Sequence, residues 1–429
     1  MKSFLNTLRI LPFLIALLLS SCGVEQKKET SVPGTEPDTP PILLEEAPTV
    51  LRRGNLRLLC LSENDLVLEE LVSRFNQSHS EQIELITPPS EPSIDTEAYY
   101  DMAFSGDYDL ISGDYPLLRM LAEADLLSPL DSLVESRLEE GGYLTSILNA
   151  GRVEDSLYLL APFHSARGIR VPASLPAKNT QSIGDIAAYV ATLSPEERFG
   201  LGREAEYLLY GLQGVTLPSG STAMYFSFDD PALEALLALD ELLATSYSDE
   251  RPTGPISFYA DPVSDMENRS WSPEMDYRPF PLGTENGFSI YSLQLFAVSK
   301  KSQVLGSVKG FLSLLLSEEI QRMELTATPG SLYKVHLALP IHQGALEEVL
   351  SKRAKDAMGS DWEHLDAYVS ACIEGSQGAD HFNAYSLLNV YPALYQARSL
   401  PLEERSAFLE QELRAEIEEW KNRIEDATP

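Results

Sequence analysis

Six polar and aromatic side chains stand where apolar runs of this sequence end, and a seventh, Asn286, stands in a polar Glu-Asn-Gly stretch further along the chain. Carboxylates and amides offer the planar hydrogen-bonding groups that bind sugar hydroxyls, and aromatic rings pack against the apolar face of a sugar. Taken singly, each side chain could instead cap a helix or form a turn. We predict a binding site for a small, hydroxyl-rich solute, formed by Glu63, Asn64, Asp114, Tyr115, Phe163, His164 and Asn286.

Sequence motifs of catalysis and metal binding are missing. The chain has neither the GxSxG sequence of hydrolases nor the Walker A sequence of nucleotide-binding proteins. Ser331-Leu-Tyr-Lys334 matches the SxxK of penicillin-binding enzymes, but the companion motifs of that family are absent. The six histidines show no HExxH spacing and no cysteine companions. We therefore predict a binding protein that is not an enzyme and has no cofactor and no metal.

The first residues form an export signal. Basic residues precede an apolar run from Ile10 to Leu19, which is shorter than the roughly 20 residues that span a bilayer. The run ends at Leu19-Ser20-Ser21-Cys22, which resembles the lipobox of bacterial lipoproteins. We predict that residues 1–21 are a signal peptide and that Cys22 is lipidated and becomes the mature N-terminus.

Residues 22–54 follow as a tether. This stretch is rich in proline and has no apolar period, so it cannot bury enough surface to fold. A diacylated cysteine holds a protein at a membrane without a transmembrane helix. We expect the chain at the extracytoplasmic face of the cell membrane, with the lipid bilayer as a partner through Cys22.

The other two cysteines, Cys60 and Cys372, stand in an apolar run and in a helical stretch. An exported protein held together by disulfides would carry an even and denser set. We expect both to lie in the core as thiols, and a Cys60–Cys372 bridge is the alternative.

Acidic residues dominate the composition. The chain has 65 Asp and Glu against 32 Lys and Arg, a formal charge of −33. This field repels the phosphate backbone, so we expect no nucleic-acid partner. It also disfavours an anionic ligand in a cleft, because like charges near the site weaken binding.

Residues 56–124 alternate between short apolar runs and stretches of helical period. The pattern predicts strands at 56–61, 82–86 and 108–111, and helices at 66–75, 100–104 and 116–124. Strands that alternate with helices are typical of a parallel sheet with helices on its faces.

The later part of the chain is predicted to be mainly helical. Helices are indicated at 182–191, 231–244, 303–325 and 401–424, and extended segments at 289–298 and 337–341. The stretch 245–286 is rich in proline and aromatic residues and shows little periodicity. Residues 55–429 exceed what one hydrophobic core usually organises, so we expect two domains.

Several short motifs follow one another along the chain, and their order carries more information than any one of them. They are Arg74-Phe75-Asn76, Phe104-Ser-Gly-Asp-Tyr-Asp-Leu-Ile111, Tyr158-Leu-Leu-Ala-Pro-Phe163, Phe280-Pro-Leu-Gly283, Phe296-Ala-Val-Ser-Lys-Lys-Ser302, Ser317-Glu-Glu-Ile-Gln321 and Ala338-Leu-Pro-Ile-His342. Their order over about residues 55–425 resembles the type 1 extracellular solute-binding proteins of ABC importers, the maltose-binding-protein-like group. One departure is Leu159, which stands where the family has glycine in its Tyr-Gly-Leu-Pro motif.

The resemblance implies an α/β fold with two lobes, the periplasmic-binding-protein-like fold of type II. Each lobe would be a mainly parallel sheet flanked by helices, with the ligand cleft between the lobes. Lobe I would comprise 55–161 and 290–335, and lobe II 165–285 and 340–429. The implied function is capture of a small solute, a carbohydrate by preference, by a monomer that delivers it to an ABC permease.

Two other hypotheses stay open at this point. A sensory or interaction module with the same fold and a degenerate cleft is indicated by the weak cleft signals and by the stretch 245–286. An exported enzyme would require a catalytic constellation that only the folded chain could reveal. A neighbouring permease gene would favour transport, and a neighbouring sensor-kinase gene would favour the sensory module.

Overall fold

A computed structural model describes most of the chain beyond residue 50. The longer described ranges are 51–61, 66–87, 96–166, 168–172, 183–194, 294–323, 339–360, 365–379 and 396–427, with short segments between them. The predicted signal peptide, Cys22 and the tether up to residue 50 lie outside the described residues, as do Glu63, Asn64 and Asn286. Those assignments stay predictions.

The described strands follow the chain in this order. They are β1 (Leu56–Cys60), β2 (Ile83–Ile86), β3 (Leu110–Gly113), β4 (Leu127–Ser128), β5 (Arg152–Val153), β6 (Ser156–Leu157), β7 (Phe163–Ala166), β8 (Gly168–Pro172), β9 (Val215–Thr216), β10 (Tyr225–Phe226), β11 (Ser257–Tyr259), β12 (Met275–Pro279), β13 (Ile290–Tyr291), β14 (Leu295–Ser299) and β15 (Leu339–Pro340).

The described helices are distributed along the whole folded part. They are α1 (Leu66–Ser78), α2 (Thr96–Ser105), α3 (Tyr115–Glu123), α4 (Asp131–Leu138), α5 (Thr145–Ala150), α6 (Ile183–Thr192), α7 (Leu305–Leu315), α8 (Glu318–Gln321), α9 (Gln343–Met358), α10 (Leu365–Gln377) and α11 (Leu402–Ala427). Within the described ranges, none of these helices combines the length and the apolar character needed to cross a membrane.

The main sheet has five strands in the order β2-β1-β3-β14-β4. Strand β1 pairs in parallel with β2 on one side and with β3 on the other. Strand β14 lies more than 160 residues after β4 in the sequence and pairs antiparallel with β3 and β4. The predicted alternation of strand and helix over 56–124 is thus confirmed, and it forms the parallel part of this sheet.

The core of this region lies where helices cover the sheet. The residues of β1 are buried except Arg57, because apolar side chains on both faces of a helix-covered sheet are shielded from water. Phe75 of α1 meets Phe311 of α7 edge to face, with ring centroids 5.6 Å apart, and Phe296 of β14 meets Phe311 at 5.7 Å. These contacts join α1, α7 and the sheet into one packed unit.

The strands described in the later region pair antiparallel. Strand β8 lies between β11 and β12, and β7 lies between β13 and β15. Strands β11 and β12 both fall inside the stretch 245–286, where the sequence showed little periodicity. Strands of three to five residues are too short to display the two-residue alternation of a β-strand. The sequence therefore did not reveal them. Most of the predicted helix 231–244 lies outside the described residues.

The single helix predicted over 303–325 is wrong, because the chain forms two helices there. Helix α7 ends at Leu315, and the extended backbone of Ser317 (ψ 148°) separates it from α8. The Ser317 hydroxyl donates to the Leu314 carbonyl at 2.7 Å and accepts the N–H of Ile320 at 3.4 Å. The apolar period continues across the break, since residues on both sides face the same core.

Cys60 and Cys372 confirm the expectation of buried thiols. Cys60 is 2% exposed in β1, and Cys372 is fully buried in α10. Each lies in the apolar core, where a thiol packs as a small hydrophobic side chain.

Candidate functional site

The candidate site lies at the carboxyl edge of the main sheet. After β1 the chain crosses to one side to form β2, and then returns past β1 to form β3 on its other side. The strand order therefore reverses between β1 and β3, and ligands of open α/β sheets bind outside the carboxyl ends of strands at such a point. Residues 62–65 follow β1, and Asp114 and Tyr115 follow β3.

Asp114 occupies the first position after β3 and caps helix α3. Its carboxylate oxygen Oδ1 accepts the N–H of Leu117 at 3.1 Å, and Pro116 stands in the first turn, where a missing N–H is tolerated. The residue is exposed, yet surrounding protein raises the pKa of its carboxyl by desolvation, against the Leu117 hydrogen bond. Asp114 therefore caps the helix with part of its surface open to solvent.

Tyr115 lies beside Asp114 in sequence but belongs to a buried cluster. It is 8% exposed, and burial raises the pKa of its hydroxyl, with Arg119 opposing that shift. Arg119 in turn forms an ion pair with Glu123 at 2.7 Å and donates to the Arg152 carbonyl at 3.1 Å. The structure therefore places Tyr115 against a charged pair inside the protein, while Asp114 faces solvent.

Phe163 and His164 lie on β7 at the first crossing of the chain out of the main sheet region. Phe163 is 3% exposed and His164 is fully buried, and β15 pairs with both residues. In the conformation described here, both side chains are covered by protein and do not reach solvent beside Asp114.

The His164 ring is fixed by a hydrogen bond to helix α10. Its Nε2 lies 2.9 Å from the Ser376 hydroxyl, and that hydroxyl donates its proton to the Cys372 carbonyl at 2.9 Å. Nε2 is therefore the protonated nitrogen, because the serine has no second proton to give. Burial lowers the pKa of His164 from 6.5 to about 4, partly opposed by a backbone group of Leu339, so the ring is neutral at pH 7.

A second crossing returns the chain to the main sheet next to Asp114. Strand β13 pairs with β7, and four residues later β14 begins with Leu295 opposite Gly113, the last residue of β3. Leu160 and Phe296 exchange backbone hydrogen bonds of 2.8 Å in both directions, which joins the two crossings. The crossing segments and the carboxyl end of β3 thus meet at one edge of the sheet.

Gln321 ends one of the motifs named above, but the sequence did not indicate what its side chain does. Its Nε2 donates to the Pro162 carbonyl at 2.9 Å and to the Leu315 carbonyl at 3.0 Å. Its Oε1 accepts the N–H groups of Ile341 at 3.0 Å and His342 at 2.9 Å. Gln321 is 1% exposed. Its buried amide therefore links Pro162, in the first crossing segment, to Ile341 and His342, which follow β15 in a third crossing segment. The motif Ser317-Glu-Glu-Ile-Gln321 was the available signal.

No metal centre is evident in the part of the chain that the structure describes. Those residues contain no cluster of three histidine, cysteine, aspartate or glutamate side chains placed to hold an ion.

Comparison with known proteins adds evidence on the fold. The sequence matches no protein-family model and no curated protein. Among solved structures, the bacterial solute receptor AcbH, described as exclusive for β-D-galactopyranose, is similar with a TM-score of 0.55 and 12% identity over 88% of this chain and 99% of that chain. A family 1 extracellular solute-binding protein from Alicyclobacillus acidocaldarius is similar with a TM-score of 0.53 and 12% identity. The match covers 86% of this chain and 99% of that chain. The ABC substrate-binding protein Lmo0181 from Listeria monocytogenes, solved with cycloalternan, is similar with a TM-score of 0.52 and 14% identity. The match covers 87% of this chain and 98% of that chain.

These similarities define the class of fold. The chain has the two-lobed α/β fold of periplasmic solute-binding proteins, as its sequence motifs implied. At 12% to 14% identity the likeness concerns architecture alone.

Proposed function

We propose that this chain is an extracytoplasmic solute-binding protein that captures a carbohydrate and is not an enzyme. The observation that carries the proposal is the edge at which Asp114, the carboxyl end of β3 and the crossing segments meet. This is where the strand order of the sheet reverses, the position at which such sheets bind small ligands. The neighbours that bind sugars share this fold and support the same ligand class.

Asp114 is the described residue best suited to contact a sugar. Oδ1 is used by the cap, and no other residue that the structure describes contacts Oδ2, which can accept a hydroxyl proton. Glu63 and Asn64, which follow β1 in the sequence, and Asn286, which precedes β13, are proposed to complete the polar contacts. Tyr115 is proposed to support Asp114 from inside the protein, because its buried contact with Arg119 stabilises the start of α3.

Closure about the crossing segments is the proposed mechanism. A ligand that contacts both lobes stabilises the closed state over the open one, and the shift in population is what a partner can recognise. Phe163 and His164 are proposed to act from within the crossing, by packing and by the Ser376 hydrogen bond, on how the lobes meet. The lobe boundaries given above stay part of this proposal.

We further propose that lipidated Cys22 and the tether hold the binding domain at the outer face of the membrane. An ABC permease would then collect the solute from the closed protein. The tether would hold the domain at a distance from the membrane, because a proline-rich polar chain stays extended.

A thermal-shift screen with mono- and oligosaccharides, peptides and polyamines tests the proposal. We expect a saturable rise in melting temperature with a carbohydrate, since a ligand that binds only the folded state stabilises it. A cooperative melt with no shift for any compound would refute solute capture and favour the sensory module.

Two variants of Asp114 separate its structural and binding roles. Asp114→Asn keeps a good cap but loses the charge, and we expect nearly unchanged stability with sugar affinity reduced by about tenfold or more. Asp114→Ala loses the cap as well and should cost about 0.5–2 kcal/mol in unfolding free energy. Equal sugar affinity in wild type and Asp114→Asn would remove Asp114 from the site.

A further inference from the structure

One cavity in the described part of the chain lies outside the candidate site. It has a volume of about 560 Å³ and lies between α7, the residue after α1, the last turn of α4 and the segment 51–53. Sites for small molecules typically measure about 300–1,000 Å³. Its lining includes none of the residues assigned to the carboxyl edge of the main sheet.

Positive charge dominates this cavity, in contrast to the rest of the chain. Arg53, Arg137 and Lys309 line it from three separate segments, and Glu319 is the only carboxylate among the lining residues. In the whole sequence acidic residues outnumber basic ones by 65 to 32, so the local ratio is inverted. Salt screens charges beyond about 8 Å, so an ion here senses these cations more than the distant negative surface.

The cations are only partly neutralised by neighbouring carboxylates. The Lys309 side chain is half-buried and forms no ion pair or hydrogen bond with another residue that the structure describes, whereas Arg53 pairs with Glu81 at 3.5 Å. Arg137 contacts both oxygens of exposed Glu140 at 3.1 Å, and Glu319 is engaged by Arg74 at 3.3 Å. Exposed pairs of this kind contribute little, so Arg137 can turn to a stronger anion at small cost.

The wall that carries Arg53 is fixed by backbone contacts. The N–H of Gly306 donates to the Arg52 carbonyl at 2.7 Å, and the N–H of Gly54 donates to the Ser307 hydroxyl at 2.9 Å. A Cβ on Gly306 would lie 2.7 Å from the Leu51 carbonyl oxygen, so glycine permits this close approach. The segment 51–53 is therefore a preformed wall of the cavity and not a loose end.

We propose that this cavity binds a phosphate-bearing anion through Lys309, Arg137 and Arg53. A phosphate group offers several oxygens to separate donors, and the planar guanidinium of arginine matches phosphate geometry with two parallel hydrogen bonds. The ligand chemistry is a phosphate monoester or diester, supplied either by the headgroup of an anionic lipid or by a soluble phosphate compound. This site is independent of the carbohydrate site proposed above.

Titration of the full chain carrying Cys22→Ala, which removes the predicted lipid attachment, tests the proposal. Inorganic phosphate and glycerol 3-phosphate are titrated calorimetrically, and sedimentation measures binding to vesicles of phosphatidylglycerol in phosphatidylcholine. We expect saturable binding that Lys309→Gln and Arg137→Gln each weaken by about tenfold, as for a lost charge-assisted hydrogen bond. The matched control Arg414→Gln removes an exposed arginine of α11 and should change nothing.

The outcomes distinguish the source of the phosphate. Binding of the soluble compounds without preference for phosphatidylglycerol vesicles supports a soluble ligand, and preference for glycerol 3-phosphate and the vesicles supports a lipid headgroup. Absence of saturable binding to all three probes overturns the proposal, as does equal affinity in wild type and both cavity variants. Melting curves of the variants confirm that they are folded, and an unchanged sugar response shows that the two sites are separate.

Discussion

Replacing Gln321 tests whether its buried amide stabilises the contact between the first and third crossing segments. Gln321→Leu keeps nearly the same volume, so it changes hydrogen bonding more than packing. It removes four hydrogen bonds and leaves the Pro162 and Leu315 carbonyls and the Ile341 and His342 N–H groups without that partner.

The expected cost follows from those four groups. A buried donor or acceptor left unsatisfied costs about 1–3 kcal/mol, and carbonyls tolerate this better than N–H groups. Two N–H groups at about 1.5–2 kcal/mol each, with partial relaxation of the carbonyls, give a loss of about 3–5 kcal/mol in unfolding free energy. Urea unfolding followed by circular dichroism measures this loss.

Gln303→Leu is the matched control, because the same change is made on an exposed residue with one contact to the Lys301 carbonyl. Its unfolding free energy should change by less than about 0.5 kcal/mol. If Gln321→Leu cost less than about 1 kcal/mol, or no more than the control, the reasoning on the crossings would be refuted. Small-angle X-ray scattering adds a second measurement, since a loosened crossing should weaken ligand-induced compaction.

Three further predictions concern buried charge and the anchor. The unfolded His164 ring takes up a proton near pH 6.5 and the folded ring only near 4, so unfolding free energy should fall by up to about 3 kcal/mol as the pH drops through that window. His164→Asn should flatten this decline in urea titrations at several pH values, and an unchanged slope would contradict the assignment. Arg119→Met leaves the buried Glu123 carboxylate without its ion-pair partner and should lower the unfolding free energy by about 3–5 kcal/mol. Adding Glu123→Leu should restore much of that free energy in the same urea assay. Cys22→Ala should move the protein from membrane to soluble fractions with sugar affinity intact, and a lost affinity would show that anchor and binding domain are not separate.

The order of elements around β1 could be predicted because each is encoded locally. Apolar runs such as Leu56–Cys60 and the helical period of α1 depend on neighbours within a few residues, so the sequence displays them directly. Asp114 could be placed at a strand end for the same reason, and Pro116 marked the start of α3. The motif order also pointed to the two-lobed fold.

What the sequence could not reveal depends on contacts between distant residues. The place of β14 beside β3 follows from pairing between segments far apart in the chain, and the break at Ser317 is set by local caps that the apolar period hides. Phe163 stands at the end of an apolar run like Asp114, yet it is 3% exposed, because burial is decided by contacts with segments distant in the sequence.

The sequence by itself determined the local elements and a set of polar residues at strand ends, and it predicts an export signal. Tertiary structure alone decided which of those residues meet solvent and which become internal. Gln321 shows the reason: its amide reaches Pro162, 159 residues away, and a hydrogen bond between segments leaves no periodic trace in either of them. Local periodicity records which face of an element is buried, whereas function depends on which elements are brought together.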